Sequence, residues 1–176
     1  RLPLVMTSDN LSDETIAFAD AEALERLSAI TDIFLLHDRP IHMRCDDSVV
    51  RVVASRQTVI RRARGYAPAP LRMSKRFVEP ILACGAELKN TFCLAKDDRA
   101  YLSHHIGDLA NYEAYRSYTK AIEHYQRLFD IRPTVVAHDL HPQYLSTQYA
   151  QQINSVTRIA VQHHHAHIAS CMAENN

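Results

Sequence analysis

The chain has 176 residues, of which 47% are apolar and 23% charged, and its 20 basic side chains balance its 20 acidic ones. This composition is typical of a globular protein and excludes a disordered tail. No apolar run approaches the ~20 residues that cross a bilayer, and the N-terminus lacks the regions of a signal peptide. We therefore predict a cytoplasmic location.

The first part of the chain alternates between apolar runs and one helical pattern. The acidic residues before and within Asp20–Leu27 predict a helix. Short apolar runs predict strands at residues 2–7, 33–36, 48–53 and 58–60, with 33–36 buried. We expect an α/β fold.

A proline-rich break and a basic block lie near the middle of the chain. Two prolines at residues 66–70 interrupt all periodicity and predict a domain boundary. Residues 51–76 contain eight basic side chains and no acidic one, at positions Arg51, Arg56, Arg61, Arg62, Arg64, Arg72, Lys75 and Arg76. Such a block indicates either an anion site or a solvated basic face.

The second part again alternates between strands and helices. A meander is predicted from three successive strands, at 81–83, 91–95 and 100–103, with a turn at 96–99. The following elements are a helix at 112–129, a strand at 134–138, a helix after 145, a strand at 155–161 and a helix towards 174.

Two groups of metal-ligating residue types differ in their spacing. The four cysteines, Cys45, Cys84, Cys93 and Cys171, form no CxxC pair, which favours reduced structural thiols. In contrast, His163 and His167 are four residues apart in a predicted helix, on one face, within reach of a single ion. A pair of surface histidines is the alternative. The position after a strand favours a site, and further ligands must then come from elsewhere.

Long strings of the sequence resemble one family. The residues at 161–163 and 167–168 are similar to the metal-binding helix of the tRNA threonylcarbamoyl transferases of the actin-like ATPase superfamily. The longer string VQHHHAHIASCMAE, together with GAELKNTFCL, SHHIGDL, AHDLHPQYLST, HDRPI and RRARGYAP, resembles the HypF family, carbamoyltransferases that start ligand synthesis for nickel-iron hydrogenases.

The resemblance implies two incomplete domains. Residues 1–73 resemble the end of a YrdC-like nucleotide-binding domain, residues 74–80 a linker, and residues 81–176 the beginning of an actin-like carbamoyltransferase domain of the ribonuclease-H-like type. Because each site would lack some of its walls, we expect the 176 residues alone to have little activity.

Candidate nucleotide-binding residues follow from the YrdC-like resemblance. It implies that Ser8, Asn10, Ser48 and Arg61 contact nucleotide, and a guanidinium is suited to pairing phosphate oxygens. Asp9 stands where that family usually has glycine, and its charge would repel a triphosphate.

Candidate catalytic and metal-binding residues follow from the actin-like resemblance. Lys89 and Asn90 lie in its first hairpin and offer an ammonium and an amide to a phosphate or carbamoyl group. Asp108 is a substrate group or, equally, a helix cap. His163 and His167 match the two metal ligands.

The cofactors and partners are expectations from the same resemblance. They are ATP with magnesium, carbamoyl phosphate as substrate, and zinc or iron at the histidine pair. The acceptor is the C-terminal cysteine of a HypE-like protein. Neither a membrane nor a nucleic acid is an expected partner.

Two other functions remain open on the sequence alone. A threonylcarbamoyladenosine-type tRNA enzyme shares both folds. A basic nucleic-acid-binding module would use residues 51–76, although only Tyr66 and Phe77 offer stacking surfaces there.

Overall fold

The computed structural model describes residues 3–4, 10 and 16–175, which form two compact units, 1–44 and 45–176. The predicted strand at 2–7 falls almost wholly outside the described residues, as does Ser8. None of the described helices is both long and apolar enough to cross a membrane.

The described residues of the first unit include one helix, α1, at Asp20–Leu27, as predicted. Leu27 is buried, and Arg26 pairs with Glu22 one turn earlier. The predicted buried strand at 33–36 is wrong, since Leu35 is 98% exposed and the segment is irregular. A buried strand needs hydrogen-bonding neighbours, and residues 16–44 contain no strand to provide them.

The second unit begins with a β-hairpin. Strands β1 (Val49–Val53) and β2 (Arg56–Arg61) pair antiparallel, within two residues of the prediction. Ala54 and Ser55 form the connection with positive φ angles of 48° and 62°. Two such residues give a turn whose twist matches that of the flanking strands.

A four-stranded mixed sheet forms the centre of the second unit. It contains β3 (Leu71–Ala83), β4 (Cys93–Leu102), β5 (Val135–Asp139) and β6 (Thr157–Val161), in the order β4-β3-β5-β6. β3 and β4 are antiparallel, whereas the other pairs are parallel. The sheet therefore brings the carboxyl ends of β5 and β6 to one edge.

The predicted three-strand meander is wrong. β4 runs continuously through the charged residues 96–99, opposite a β3 that includes residues 74–80, assigned to a linker from the sequence. Residues 96–99 have the polar composition of a turn. They stay in the strand because β3 is long enough to pair with β4 on both sides of them. The pairing register shifts near Phe77, and Asp97 has a positive φ of 54°.

Three helices complete the second unit: α2 (Tyr112–Phe129), α3 (Leu145–Gln152) and α4 (His163–Asn175). The Asn111 side chain caps α2 by accepting from the Glu113 and Ala114 N–H groups, at 2.9 and 3.1 Å. Asp130 ends α2 in a left-handed conformation, before Pro133. All three predicted helices are confirmed.

The core lies between α2 and the sheet. Phe92 contacts Tyr118 and Tyr125 edge to face, with ring centroids 6.0 and 5.1 Å apart. The Tyr118 hydroxyl donates to the Cys84 carbonyl at 3.0 Å. Burial raises the pKa of the Cys84 and Cys93 thiols to about 12, so both stay protonated, as expected of structural cysteines.

The loop after β3 turns at a glycine that no other residue can replace without strain. Gly85 has a φ of +72°, and an added Cβ would lie 2.2 Å from the Thr91 carbonyl oxygen. Gly65 also has a positive φ, of +85°, but a Cβ there would meet nothing within 4 Å. Gly65 is therefore favoured only by its backbone conformation, whereas Gly85 is required both by its conformation and by the lack of space for a side chain.

We predict that Gly85→Ala destabilises the protein more than Gly65→Ala does. Gly65→Ala bears only the left-handed backbone cost of ~1–2 kcal/mol. Gly85→Ala adds a backbone clash, for which overpacking values of ~1–3 kcal/mol apply. Urea unfolding of both variants measures the difference, and equal midpoints would contradict the contact with Thr91.

Candidate active site

The site begins where β5 and β6 end. Asp139, the last residue of β5, pairs with Val161, the last residue of β6. α4 begins two residues later at His163. Because the two strands are parallel and in register, the Asp139 carboxylate and the His163 ring are brought together from 24 positions apart.

A short hydrogen bond joins Asp139 to His163. His163 Nδ1 lies 2.6 Å from Asp139 Oδ2, and the His141 N–H donates to Oδ1 at 2.9 Å. Burial of the carboxyl raises its pKa, but these hydrogen bonds outweigh burial and the pKa is lowered overall. An ionised carboxylate only accepts, so Nδ1 of His163 keeps its proton and Nε2 has a lone pair.

The second histidine, His167, lies next to the Nε2 lone pair of His163. His167 Nε2 lies 3.1 Å from His163 Nε2. Without an ion, His167 donates a hydrogen bond to His163. With a tetrahedral ion ~2.0–2.1 Å from each nitrogen, neighbouring donors are roughly 3.3 Å apart, close to the observed separation. The pair therefore fits two adjacent ligands of one metal ion.

The histidine pair supplies only part of a metal site. Within residues 3–4, 10 and 16–175, no group of three His, Cys, Asp or Glu side chains is placed to hold an ion. Asp139 is hydrogen-bonded to His163 Nδ1. In metal sites such a contact orients the histidine ring and fixes its tautomer. If the pair holds an ion, its remaining ligands would have to come from water or from residues beyond the described ones.

A cavity of about 470 Å³ opens beside the pair. It is bounded by the loop after β3, the ends of β5 and β6, and the first turns of α4. His163, His165 and His167 line it, whereas His164 does not. The Lys89 side chain is exposed and also lines this cavity, so it lies on the same side as the histidine pair.

Asn90 also lines the cavity, but its side chain is used to hold the loop. It is 2% exposed, and its Nδ2 donates to the Cys84 and Ala86 carbonyls at 3.1 and 2.5 Å. Its backbone N–H donates to the Gly107 carbonyl at 2.8 Å. These contacts are structural, and a direct catalytic role for Asn90 stays a prediction.

Asp108 lies outside the set of residues that line the cavity. It is exposed, and its carboxylate accepts from the Ala110 N–H at 3.0 Å in a local turn. The cap of α2 is Asn111 rather than Asp108. A substrate role for Asp108 stays a prediction.

The four predicted nucleotide-binding residues differ in what they contact. Ser8 is outside the described residues, and Asn10 is half-buried in the first unit. The Ser48 hydroxyl accepts from the Ala63 N–H at 2.8 Å and donates to the Arg64 carbonyl at 2.9 Å. The hydroxyl proton of Ser48 is therefore already used in a hydrogen bond to the backbone.

Arg61 differs from the two arginines that follow it. Arg62 donates to the Tyr66 carbonyl, and Arg64 donates to the Cys45 carbonyl at 3.0 Å. Arg61 is exposed, and across the described part of the chain its guanidinium has no hydrogen-bond or ion-pair partner. Of these three side chains, Arg61 is the one left available for an anion.

A hydrogen-bonded junction joins the hairpin region to the loop before α2. His105 Nδ1 lies 2.8 Å from the Asp46 carboxylate, and the His105 N–H donates to the Arg62 carbonyl at 2.9 Å. On the other side, the Arg64 N–H donates to the Asp46 carbonyl at 3.2 Å. Residues 62–64 are therefore held from both sides.

Three functional positions were not among the candidates from the sequence. Asp139 holds His163, His138 lines the cavity, and the Glu87 carboxylate accepts from the Leu145 N–H at 2.8 Å at the start of α3. An acidic residue at the end of a buried strand was the available signal for Asp139. Nothing in the spacing of His138 or Glu87 indicated their contacts.

Two family models match separate parts of the chain. One described as the HypF Kae1-like domain matches residues 76–174. One described as telomere recombination, of the Sua5, YciO and YrdC group, matches residues 1–63. Together with the mixed sheet, they confirm the predicted α/β class and the order of a YrdC-like part followed by a carbamoyltransferase-type part.

Curated relatives match nearly the whole chain. Carbamoyltransferase HypF2 of Cupriavidus necator is 47% identical over 99% of this chain and 22% of its own length. Carbamoyltransferase HypF of Synechocystis is 46% identical over 98% of this chain and 22% of its own. The chain therefore spans less than a quarter of the length of these relatives.

Solved structures agree with this assignment. A full-length HypF crystallised in a phosphate- and nucleotide-bound form matches with a TM-score of 0.90 at 54% identity, over 97% of this chain and 27% of that one. HypF of T. kodakarensis matches with a TM-score of 0.87 at 39% identity, over 97% of this chain and 23% of that one. The chain belongs to the HypF family.

Proposed function

We propose that the chain is part of a carbamoyltransferase that uses carbamoyl phosphate and ATP. The observation that carries the proposal is that relatives 46–47% identical over nearly the whole chain are named carbamoyltransferases. These names also favour this activity over tRNA modification and over a nucleic-acid-binding module. In this proposal the intact protein acts in the cytoplasm, in the maturation of nickel-iron hydrogenases.

Adenylation is the first of two steps assigned to this chain in this proposal. Carbamoyl phosphate is first hydrolysed to carbamate and phosphate. Carbamate is a poor electrophile, and its condensation with ATP, in the presence of magnesium, gives carbamoyl adenylate, which has a good leaving group, and releases pyrophosphate. We assign this step to the part ending near residue 73, with Ser8, Asn10, Ser48 and Arg61 as the nucleotide-binding residues. A nucleotide-bound structure of a relative supports nucleotide binding here.

Transfer is the second step, assigned to the part that follows residue 80. His163 and His167 would hold a zinc or iron ion, which when bound polarises a carbonyl or orients phosphate. Lys89, Asn90 and Asp108 are its proposed catalytic residues. Lys89 is best placed, because it lines the cavity and is exposed.

The acceptor is proposed to be a thiol of another protein. Burial raises the pKa of Cys84 and Cys93 to about 12, which makes both poor nucleophiles. Transfer to an external C-terminal cysteine, as on a HypE-like partner, removes the need for a nucleophile in this chain.

The test of the function is made in the intact protein. We expect ATP–pyrophosphate exchange that depends on carbamoyl phosphate, and transfer of the carbamoyl carbon to a protein with a C-terminal cysteine. Exchange without dependence on carbamoyl phosphate would contradict the proposal.

Arg61→Ala is predicted to weaken adenylation more than transfer. A charge-assisted hydrogen bond is worth ~1.5–3 kcal/mol, which corresponds to a loss of roughly tenfold to a hundredfold in exchange rate. Arg56→Ala is the matched control, because Arg56 is an exposed arginine on the same hairpin strand. Similar losses in both variants would indicate a general charge effect.

His163→Ala and His167→Ala are each predicted to remove the bound metal and the transfer step. Each substitution removes one of the two ring nitrogens that lie 3.1 Å apart and would bind the ion. His164→Ala should keep most of the metal, because His164 does not line the cavity. Metal analysis of the purified intact protein checks this, and equal loss in all three variants would contradict the assignment of the pair.

Asp139→Asn is predicted to lower metal affinity by about 10- to 100-fold without abolishing folding. The amide oxygen still accepts from His163 Nδ1, but the negative charge that strengthens the ligand is lost. Titration with a competing chelator measures the change. Unaltered affinity would mean that the Asp139 contact does not support a metal ligand.

A further inference from the structure

A fourth histidine lines the cavity, and one of its ring nitrogens is fixed by a hydrogen bond. His138, the residue before Asp139 in β5, lines the cavity and is partly exposed. Its Nδ1 lies 2.7 Å from the backbone carbonyl oxygen of Asp139. A carbonyl oxygen only accepts, so Nδ1 must carry a proton, and in the neutral ring Nε2 has the lone pair.

Two other histidines at this edge differ from His138 in their contacts. Both ring nitrogens of His163 are engaged, one with Asp139 and one with His167. His141 stacks on Tyr144 and does not line the cavity. His138 Nε2, in contrast, has no hydrogen-bond partner among the residues that the structure describes. The backbone carbonyl thus fixes the proton of His138 on Nδ1 and leaves the Nε2 lone pair unused, as in a histidine that accepts a proton.

We propose that His138 is the general base of the transfer step. This inference rests on the proposed function, in which a thiol attacks a carbamoyl adenylate. The two assigned ligands sit on α4 and His138 sits on β5, so the ion and the base would act from different walls of one cavity.

The step requires a base because of the chemistry of the acceptor. An ordinary cysteine has a pKa of ~8.5, and only its thiolate is a good nucleophile. The thiol proton moves to His138 Nε2 as the sulfur forms a bond to the carbamoyl carbon. The bond from that carbon to the adenylate oxygen breaks, and AMP leaves with the electron pair. The products are a thiocarbamate and AMP, and the imidazolium later returns its proton to solvent.

The experiment compares two acceptors in the intact protein. One peptide ends in cysteine, and an otherwise identical peptide ends in selenocysteine, whose selenol is already ionised at neutral pH and needs no base. For His138→Gln we expect the transfer rate to fall by ~10²- to 10⁴-fold with the cysteine peptide. With the selenocysteine peptide the rate should fall by less than about tenfold, since no proton has to be removed.

Two controls separate a catalytic role from a structural one. His141→Gln changes a neighbouring histidine outside the cavity lining and should alter neither rate. Metal content and ATP–pyrophosphate exchange should be the same in His138→Gln as in the parent. The ratio of the two acceptor rates does not depend on how much of the variant is folded, so partial misfolding leaves the comparison valid.

The possible results decide between distinct conclusions. A loss with cysteine that selenocysteine largely restores supports His138 as the base. Equal losses with both peptides, or no loss with either, overturn it and leave the proposed function intact. If the parent protein transfers to neither peptide nor to a cysteine-terminated protein, the proposed function fails together with this inference.

Discussion

The hydrogen bond between Asp139 and His163 is the contact on which the rest of the site depends. It exists because β5 and β6 are parallel and end in register, so a carboxylate and an imidazole far apart in sequence become neighbours. The bond fixes the proton of His163 on Nδ1 and turns Nε2 towards His167. It also ties the start of α4 to the sheet, which matters because no residue of α4 is buried. The carboxylate therefore fixes the tautomer of His163 and holds the first residue of α4 against the end of β5.

The loop after β3 bounds the same cavity and is held in a different way, by contacts to the backbone. Gly85 allows the chain to turn against the Thr91 carbonyl, and Asn90 closes the loop onto the Cys84 and Ala86 carbonyls. Tyr118 reaches the same Cys84 carbonyl from the aromatic core. The cavity therefore lies between one wall fixed by side chains and another fixed by a rigid loop, a combination suited to preorganised binding.

The sequence predicted what depends on short-range spacing. The position of α2 followed from its apolar periodicity, and the pairing of His163 with His167 followed from their separation of four residues. Contacts between residues far apart in sequence were not predictable, because the pattern within one strand does not show how that strand aligns with its neighbour. Asp139 was not among the candidate residues, and the contact of His138 with the carbonyl of the next residue followed from no sequence pattern. The segment 33–36 failed for a related reason, because an apolar run predicts a strand only where neighbouring strands exist.

The junction around residues 62–64 links the two parts that the family models match separately. Asp46 binds this segment from the first part, and His105 binds it from the second. One residue beyond His105, the Ile106 N–H donates to the Asn90 carbonyl at 2.9 Å. Two hydrogen bonds, joined through the peptide between His105 and Ile106, thus connect the end of the hairpin, beside Arg61, to the loop that bounds the cavity. A displacement of either end lengthens and weakens these bonds, so within residues 45–176 the hairpin and the cavity loop are mechanically linked.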